Sequence, residues 1–500
     1  GQHKLAWQYY KNASGVSGSD CGWVDNIRLT STPTLPEALD FSGFSWNSDG
    51  ATPWVGQTFT SYYDGDAAQS GQIENKQFSR LYTTITGPGL LSYYWKVSSH
   101  EGFAPLEFFV DGIRWGSISG ETDWLNKTFI LESGAHLVEW KYSRDTVFVD
   151  GADCGWVDRV QWTPGTVPYC NLNVPYQYPT IQEAINAARE GCVITVSPGV
   201  YFENITISGK NIVLTSYDPS DAATVRETII DGGQNGPVIT FGGDEYYTCR
   251  VAGLTITNGL APKGGGILGN FSQATVADCV ITSNVAEESG GGIMEFAGKI
   301  HRNIISNNQT VFAGGGLFRC SGTIENNFIY NNRSEQYGGG ISWCNGAVQN
   351  NTICGNTAGV QGGGVFNCST QITNCIISRN SAPLDPELHY NTSSPEYQPK
   401  NCCIPYWAGA GTAIQTGKPA FINEAAKNFH IRKNSPCVDN GCAISRLSED
   451  YDRDDREIFV FRRPVGASHN DIGADEYTNA TPEITILTPE GDMNTYARSF

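Results

Sequence analysis

A strict 24-residue repeat is the feature of this chain that most constrains its fold. Asparagine recurs at spacings of 26, 24, 24, 24 and 24 residues, and a Gly-Gly-Gly triplet begins six residues after each of the first five. An aliphatic residue follows each triplet directly. The repeated asparagines are Asn258, Asn284, Asn308, Asn332, Asn356 and Asn380.

This repeat predicts a right-handed parallel β-helix. Each coil would pair with neighbours about 4.8 Å away, so that equivalent residues stack into columns. Stacked amides can hydrogen-bond from coil to coil and satisfy polar groups that turn inward, while glycine allows positive φ at the corner. We therefore predict that the six asparagines form a structural ladder.

One amphipathic helix is predicted ahead of the coils, over residues 180–191. Thr180 would be its N-cap, Glu183 would complete a capping box, and Gly191 would end it. We expect this helix to cap the open end of the β-helix.

A second, longer repeat lies in the first third of the chain. Residues 1–29 align without gaps on 134–162, and Asp-Cys-Gly-Trp-Val-Asp is identical in both. Apolar runs alternate between glycine-rich turns here, which predicts an antiparallel β-sandwich. The chain is thus predicted to be all-β and cut from a longer tandem array. Its predicted parts are the last strands of a preceding jelly-roll module (1–33), a complete jelly-roll sandwich (34–165), the β-helix with a closing region (166–480) and the start of a further sandwich (481–500).

Charge and cysteine content limit the possible partners and compartments. The formal net charge is −19, which repels phosphate backbones and anionic lipids. We therefore expect no nucleic acid and no direct membrane insertion within this segment. Fifteen cysteines fit an oxidising, extracellular or cell-surface location. Cys437 and Cys442 are close enough for a small loop-closing disulfide, although spacing alone leaves the pairing open.

The sandwich region resembles the jelly-roll modules of large bacterial surface proteins, of the MAM and cleaved-adhesin type. The resemblance rests on Asp66-Ala-Ala-Gln-Ser-Gly71, Gly87-Pro-Gly89, Trp95-Lys-Val-Ser-Ser99, Val110-Asp-Gly112 and the closing Cys-Gly-Trp-Val-Asp. It implies a fold but no fixed ligand.

The remaining region resembles the pectin-lyase-like superfamily. Its opening carries Pro198-Gly-Val-Tyr-Phe-Glu-Asn-Ile-Thr-Ile207. Its end resembles the choice-of-anchor Q region, with Ser435-Pro-Cys-Val-Asp-Asn-Gly441 and Asp471-Ile-Gly-Ala-Asp-Glu-Tyr477. The resemblance leaves activity open, because the superfamily mixes lyases, hydrolases, esterases and proteins without activity.

Two glutamates are the one candidate for a catalytic pair. Glu287 and Glu335 fall in the same predicted column two coils apart, which is about 9.6 Å and at the far edge of the inverting range for glycosidases. Solvated loop glutamates are the main interpretation, and a hydrolytic pair is the alternative.

A candidate carbohydrate-binding column follows the glycine corner. Glu295, Arg319, Trp343 and Asn367 each lie two positions beyond the corner aliphatic residue. An aromatic face can stack on a sugar, while guanidinium and amide groups bind hydroxyls. In the alternative interpretation these are ordinary turn residues and Trp343 folds onto the neighbouring coil.

Candidate metal ligands are concentrated near the end of the chain. Asp450, Asp452 and Asp454 supply oxygen atoms as calcium loops do, and calcium is the one ion expected. A surface network of aspartate and arginine is the alternative. Asp150, Asp153 and Asp158 invite the same calcium hypothesis in the sandwich.

A column of cysteines, Cys320, Cys344 and Cys368, predicts small buried apolar groups, with thiolate metal binding as the alternative.

Together these patterns favour a non-catalytic structural or adhesive segment of a large extracellular repeat protein. Its partners would be glycans, neighbouring copies or neighbouring modules of the same protein, and it could form filaments. A polysaccharide lyase or glycoside hydrolase that acts on the β-helix face is one alternative. Lectin-like carbohydrate binding is another.

Overall fold

The computed structural model describes residues 6–10, 21, 24, 32–145, 147–148, 150–165, 170–390, 397–444, 447–456 and 470–477. The described chain is nearly all-β, with an antiparallel β-sandwich sheet followed by a parallel β-solenoid of about nine turns. The predicted fold class is confirmed. The predicted part 481–500 lies outside the described residues, as does most of 1–33.

The sandwich is a single antiparallel sheet of eight strands preceded by a short helix. The strand order is β2-β3-β8-β4-β7-β5-β6, and β1 also pairs with β4. The elements are α1 (Leu35–Ala38), β1 (Asn47–Gly50), β2 (Val55–Gln57), β3 (Ala67–Gln69), β4 (Gln77–Ser98), β5 (Leu106–Val110), β6 (Ile113–Ile118), β7 (Leu125–Arg144) and β8 (Cys154–Pro164).

Alternation of apolar residues along the long strands produces the sandwich core. Leu91, Tyr93 and Trp95 lie at every second position of β4 and are all buried, as period-2 strands require. Trp140 of β7 is fully buried and meets Tyr93 edge-on, with ring centroids 5.0 Å apart. The aromatic runs of the sequence therefore form one core.

The described part of the solenoid contains thirty short strands and two helices. In chain order they are β9 (Asn171–Val174), α2 (Ile181–Ala187), β10 (Val193–Val196), β11 (Gly199–Phe202), β12 (Ile205–Ile207), β13 (Val213–Ser216), α3 (Ala222–Glu227), β14 (Thr228–Asp231), β15 (Ile239–Phe241), β16 (Arg250–Ala252), β17 (Thr255–Thr257), β18 (Leu260–Lys263), β19 (Ile267–Leu268), β20 (Thr275–Ala277), β21 (Val280–Thr282), β22 (Val285–Ser289), β23 (Ile293–Met294), β24 (Lys299–His301), β25 (Ile304–Ser306), β26 (Gln309–Thr310), β27 (Leu317–Phe318), β28 (Ile324–Glu325), β29 (Phe328–Tyr330), β30 (Arg333–Ser334), β31 (Ile341–Ser342), β32 (Val348–Gln349), β33 (Thr352–Cys354), β34 (Thr357–Ala358), β35 (Val365–Phe366), β36 (Ile372–Thr373), β37 (Ile376–Ser378) and β38 (Leu388–His389).

These strands stack into four parallel sheets. Sheet 1 runs β9-β10-β13-β16-β20-β24-β28-β32-β36, and sheet 2 runs β11-β14-β17-β21-β25-β29-β33-β37. Sheet 3 runs β12-β15-β19-β23-β27-β31-β35-β38, and the shorter sheet 4 runs β18-β22-β26-β30-β34. The regular coils pair at an offset of 24, as in Ile305↔Ile329↔Ile353, so the predicted aliphatic columns are stacked in register.

Asparagines form a buried ladder between sheets 2 and 4. Asn308 donates from its main-chain N–H (3.1 Å) and from Nδ2 (3.0 Å) to Oδ1 of Asn332. The same pattern continues along the whole ladder. Its members are Asn284, Asn308, Asn332, Asn356 and Asn380. The ladder ends where Nδ2 of Asn380 donates to Glu387 (2.7 Å).

Asn258 does not belong to this ladder. Gly259, the next residue, takes the ladder position and donates its N–H to Oδ1 of Asn284 (2.9 Å). Asn258 instead adopts φ +59 and donates to Asp231. The reason is a register shift between β18 and β22, which changes the coil offset from 25 to 26 residues beyond this point.

A second ladder runs between sheets 1 and 2. Asn303 donates to Oδ1 of Asn327, and Asn327 donates to Oδ1 of Asn351. Sulfur extends it, since the N–H of Asn351 donates to Sγ of Cys375 (3.4 Å). Its 24-residue spacing was visible in the sequence, although we did not predict it.

The helix α2 lies at the N-terminal end of the solenoid, and its buried side chains join the solenoid core. Thr180 is the N-cap and accepts from the N–H of Glu183. The first two N–H groups of α2 donate to the carboxylate of Glu203, and the helix ends at Ala187 rather than at Gly191. A disulfide joins Cys170 to Cys192 beside this cap.

The closing region packs on the outer face of sheet 2. It contains the antiparallel pair β39 (Phe421–Asn423) and β40 (Asn428–Ile431). Phe429 and Ile472 share a buried apolar cluster with Phe328 of β29. Cys437 and Cys442 are both free thiols, so the disulfide suggested by their spacing is wrong.

The sandwich and the solenoid touch through polar contacts. Nη2 of Arg114 donates to Oε1 of Gln273 (3.0 Å), and the guanidinium lies over the ring of Tyr246. Lys127 donates to the carbonyl of Gly209 (2.8 Å). No helix in the described part of the chain is long and apolar enough to cross a membrane.

Candidate functional site

The predicted carbohydrate-binding residues lie in one column beside sheet 3. Glu295, Arg319, Trp343 and Asn367 directly follow β23, β27, β31 and β35, and all have φ near +50. The strands before them pair in register, so these residues occur on four successive coils. Arg319 Nη1 contacts Glu295 Oε1 at 2.9 Å, and its side chain is 55% exposed.

Trp343 is part of an aromatic cluster and is not an isolated ring on the surface. Its half-buried ring stacks on Phe312 (centroids 5.6 Å apart, planes 12° apart) and meets Phe366 edge-on at 4.9 Å. Phe318 and Tyr337 also contact the ring. We call these five residues the aromatic cluster. Phe312 is 39% exposed and presents apolar surface to solvent.

Polar side chains from the last coils of the solenoid lie next to the aromatic cluster. The ring of His389 stacks on Phe366 at 5.2 Å. His389 Nδ1 lies 2.7 Å from Oδ2 of Asp385, and Gln361 donates to the same oxygen. The Gln361 amide and the His389 imidazole hold the pKa of Asp385 below its usual value. Sequence reasoning missed this group, because Asp385 and His389 lie beyond the last glycine triplet.

The two candidate catalytic glutamates are not in contact. Sheet 4 pairs Ala286 with Thr310 and Thr310 with Ser334, so Val311 lies on the coil between Glu287 and Glu335. Both glutamates are exposed, and Val311 is 45% exposed. The intervening apolar side chain separates the two carboxylates.

An open groove of about 330 Å³ is lined by residues at the corner between sheets 2 and 4. Its lining offers amide, guanidinium and hydroxyl groups, which can donate to and accept from sugar hydroxyls. The lining residues are Asn307, Gln309, Asn331, Asn332, Arg333, Gly355 and Thr357. Sheet 4 connects the groove with the aromatic cluster. Arg333 of sheet 4 lines the groove, and Phe312 and Tyr337 of the cluster follow sheet 4 strands.

The sandwich contains an acidic cluster around Asp158. This residue is fully buried, and its Oδ2 accepts from the N–H groups of Tyr62 (2.6 Å) and Tyr63 (3.0 Å). Its Oδ1, Asp40 Oδ2 and Asp66 Oδ1 are buried without a hydrogen-bond partner. Burial, followed by the charges of Asp64 and Asp158, raises the pKa of Asp40 to about 7.

Carboxylates are the ligands that a hard cation such as Ca²⁺ prefers, but in the described part of the chain only His430, Asp452 and Asp475 bring three ligand atoms within 4.8 Å of one another. Burial and then the charges of Asp64 and Asp158 raise the pKa of both Asp40 and Asp66, so these four residues make up the acidic cluster without a preformed cation site. Asp153 contacts Arg144 and Tyr142 instead, and Asp150 contacts His100. Of the three aspartates suggested by sequence, the structure therefore places only Asp158 in the acidic cluster.

The predicted metal triplet near the C-terminus is not assembled as expected. Asp450 is fully buried, and its carboxylate accepts from the N–H groups of Asp454 (2.9 Å) and Glu476 (2.8 Å). Burial raises the pKa of Asp450 to about 6. Asp452 instead joins His430 and Asp475, whose ligand atoms lie within 4.8 Å of one another.

Arginines hold the same segment in place. Arg453 contacts Asp278 (3.1 Å). Arg456 is fully buried and contacts Glu476 (2.8 Å). The alternative of a surface aspartate and arginine network stays a prediction, because Arg456 is buried and neither arginine pairs with the predicted triplet in these two contacts. His430 carried no sequence signal, since a histidine in an alternating strand is common.

The cysteine column is buried inside the solenoid. Cys320 donates its N–H to Sγ of Cys344 at 3.3 Å. Burial raises the pKa of Cys344 well above its usual value. A neutral, buried thiol behaves as a small apolar group.

No family model and no curated protein matches this chain. Among solved structures it is similar to the secreted serine protease VesC from Vibrio cholerae, at 17% identity over 26% of each chain and a TM-score of 0.21. It is also similar to the K3 cleaved adhesin domain of Lys-gingipain from Porphyromonas gingivalis, at 13% identity over 24% of this chain and 91% of that chain (TM-score 0.20).

A third similar structure is the catalytic unit of a GH87 α-1,3-glucanase from Streptomyces thermodiastaticus. It has 14% identity over 77% of this chain and 76% of that chain, with a TM-score of 0.24. The chain thus spans about a quarter of the protease and most of the other two. At these TM-scores none of the three determines what this chain does.

Proposed function

We propose that this chain is a non-catalytic segment of an extracellular or cell-surface protein, and that its solenoid binds a polysaccharide. The observation that supports this most directly is the aromatic cluster beside the Arg319–Glu295 pair, on successive coils of a rigid scaffold.

Repetition of the coils suits a repeating ligand. Equivalent positions recur about every 4.8 Å along the solenoid. The exposed part of Phe312 can stack on the apolar face of one sugar, while Arg319 and Glu295 bind hydroxyls of the next. The polar groove around Asn331 and Arg333 offers a second row of hydrogen-bonding groups.

The distribution of acids argues against hydrolysis or elimination. Val311 separates Glu287 from Glu335. The other acids between residues 258 and 382 form ion pairs, as Asp278 does with Arg302 and Glu325 does with Lys299. General acid–base catalysis needs a proton-transferring group within reach of the substrate, and ion-paired, buried carboxylates serve that role poorly.

Glycan arrays followed by titration of neutral and acidic polysaccharides test the proposal. Loss of the ring in Phe312→Ala or of the charge in Arg319→Ala should weaken binding about 2- to 12-fold, which corresponds to about 0.5–1.5 kcal/mol for one such contact. Tyr217→Ala is the matched control, because Tyr217 is 79% exposed on an early coil and its loss should leave binding unchanged.

Turnover assays distinguish the enzymatic alternative. The chain should release neither reducing ends nor unsaturated products from any polysaccharide that it binds. Release that is abolished by Glu335→Gln would show a hydrolase or lyase instead. Absence of binding to every glycan tested would contradict the proposal.

A further inference from the structure

Beyond glycan binding, we infer that His430, Asp452 and Asp475 form a binding site for a divalent transition-metal ion, with zinc the best fit, which holds three segments of the closing region together. The three side chains come from β40, from the segment 447–456 and from the segment 470–477. Residues far apart in sequence thus direct their ligand atoms to one point.

The separations of the ligand atoms match a shared metal ion. Nε2 of His430 lies 2.8 Å from Oδ2 of Asp452, and all three ligand atoms lie within 4.8 Å of one another. Two ligands at about 2.1 Å from one zinc ion are about 3 to 3.5 Å apart in tetrahedral or octahedral geometry. An ion therefore fits between these atoms with small side-chain shifts.

Surrounding hydrogen bonds orient the ligands. Nδ1 of His430 lies 2.6 Å from Oδ1 of Asn428, and Oδ2 of Asp475 accepts from the N–H of Ile431 (3.0 Å). Metal-bound histidines commonly donate their second nitrogen to such an oxygen, which directs the lone pair of Nε2 toward the metal.

Burial and charge favour a cation here. His430 is 8% exposed and Asp475 is 5% exposed. The acidic neighbours of His430 are Asp450, Asp452 and Asp475, so three carboxylates surround one imidazole. Buried charges of one sign are costly unless they are paired or coordinate a metal.

The ligand set selects the class of metal. One imidazole nitrogen and two carboxylate oxygens suit zinc and related transition metals, whereas calcium prefers an all-oxygen shell. The site therefore differs in chemistry from the acidic cluster of the sandwich.

Calorimetric titration of the chain with Zn²⁺ tests the inference, in a Cys21→Ser background because Cys21 is an exposed thiol. One ion should bind per chain at this site, with affinity lowered at least about 100-fold in His430→Gln and in Asp475→Asn. Asp454→Asn is the matched control and should bind as the parent does, since Asp454 lies in the same segment but outside the cluster.

A milder variant keeps the test decisive if a ligand substitution prevents folding. Asn428→Ala retains all three ligands and should weaken zinc binding about 10- to 100-fold, as loss of an orienting partner does.

Zinc should also raise the thermal unfolding midpoint of the parent, and a chelator should reverse this. No saturable zinc binding, equal binding in all variants or preference for Ca²⁺ at this site would overturn the inference. None of these outcomes bears on glycan binding, so the two proposals can fail separately.

Discussion

Oδ1 of Asn332 accepts two hydrogen bonds from Asn308, one from the main-chain N–H at 3.1 Å and one from Nδ2 at 3.0 Å. Nδ2 of Asn308 donates its second hydrogen to the carbonyl of Ile281. One side chain therefore satisfies donors and acceptors on neighbouring coils in a place that excludes water. This relationship explains why the amide recurs at the spacing of the coil.

Asn332→Leu should destabilise the solenoid strongly. The change leaves donors of Asn308 and acceptors of its neighbours buried without partners, at about 1–3 kcal/mol for each group. We expect a loss of about 3 kcal/mol or more in the free energy of unfolding, measured by urea titration. Asn331→Gly is the control, since Asn331 has φ +53 and the next coil has Gly355 there. An unchanged midpoint for Asn332→Leu would contradict the role of the ladder.

Gly339→Ala should also destabilise, for a steric reason. A Cβ atom at Gly339 would lie 2.4 Å from the carbonyl oxygen of Thr357. Overpacking of this kind costs about 1–3 kcal/mol. Gly233→Asn is the comparison, because Gly233 has open space and φ +58, which asparagine tolerates. Thermal unfolding of both variants measures the difference.

Stability should fall as the pH rises because of Glu387, which ends the asparagine ladder. Burial raises the pKa of Glu387 to about 7, while the unfolded value is about 4.3. The stabilisation from the protonated carboxyl is fully present below about pH 4.3 and is lost as the pH rises through about 7. Glu387→Gln should remove up to about 4 kcal/mol of this pH dependence. Urea titrations from pH 4 to pH 9 test this, with exposed Glu227→Gln as the control.

Calcium should stabilise the sandwich through its acidic cluster. We expect the thermal midpoint to rise with Ca²⁺ and to fall when a chelator removes it, because the ion would satisfy buried oxygens of Asp40, Asp66 and Asp158. Asp158→Asn should abolish the response. Asp150→Asn should retain it, since Asp150 lies at a different, exposed position. A chelator without effect on the parent chain would refute this prediction.

The regular coils were predictable because their signal is local and repeated. Each coil presents the same residue types at the same spacing, and one register satisfies all of the columns at once. The irregular first coil shows the limit. A spacing of 26 reveals two residues more than the regular 24 but not where they lie, so Asn258 was assigned to a ladder position that Gly259 occupies.

The sequence by itself determined the parallel coils, their aliphatic columns and the glycine corners, since these depend on repetition along one chain. The tertiary structure decided which side chains meet across segments. It packed Trp343 among aromatic rings from neighbouring coils, joined Asp158 to Asp40 and joined His430 to Asp452 and Asp475. Such contacts join positions with no fixed sequence separation, because burial and the docking of whole segments bring them together.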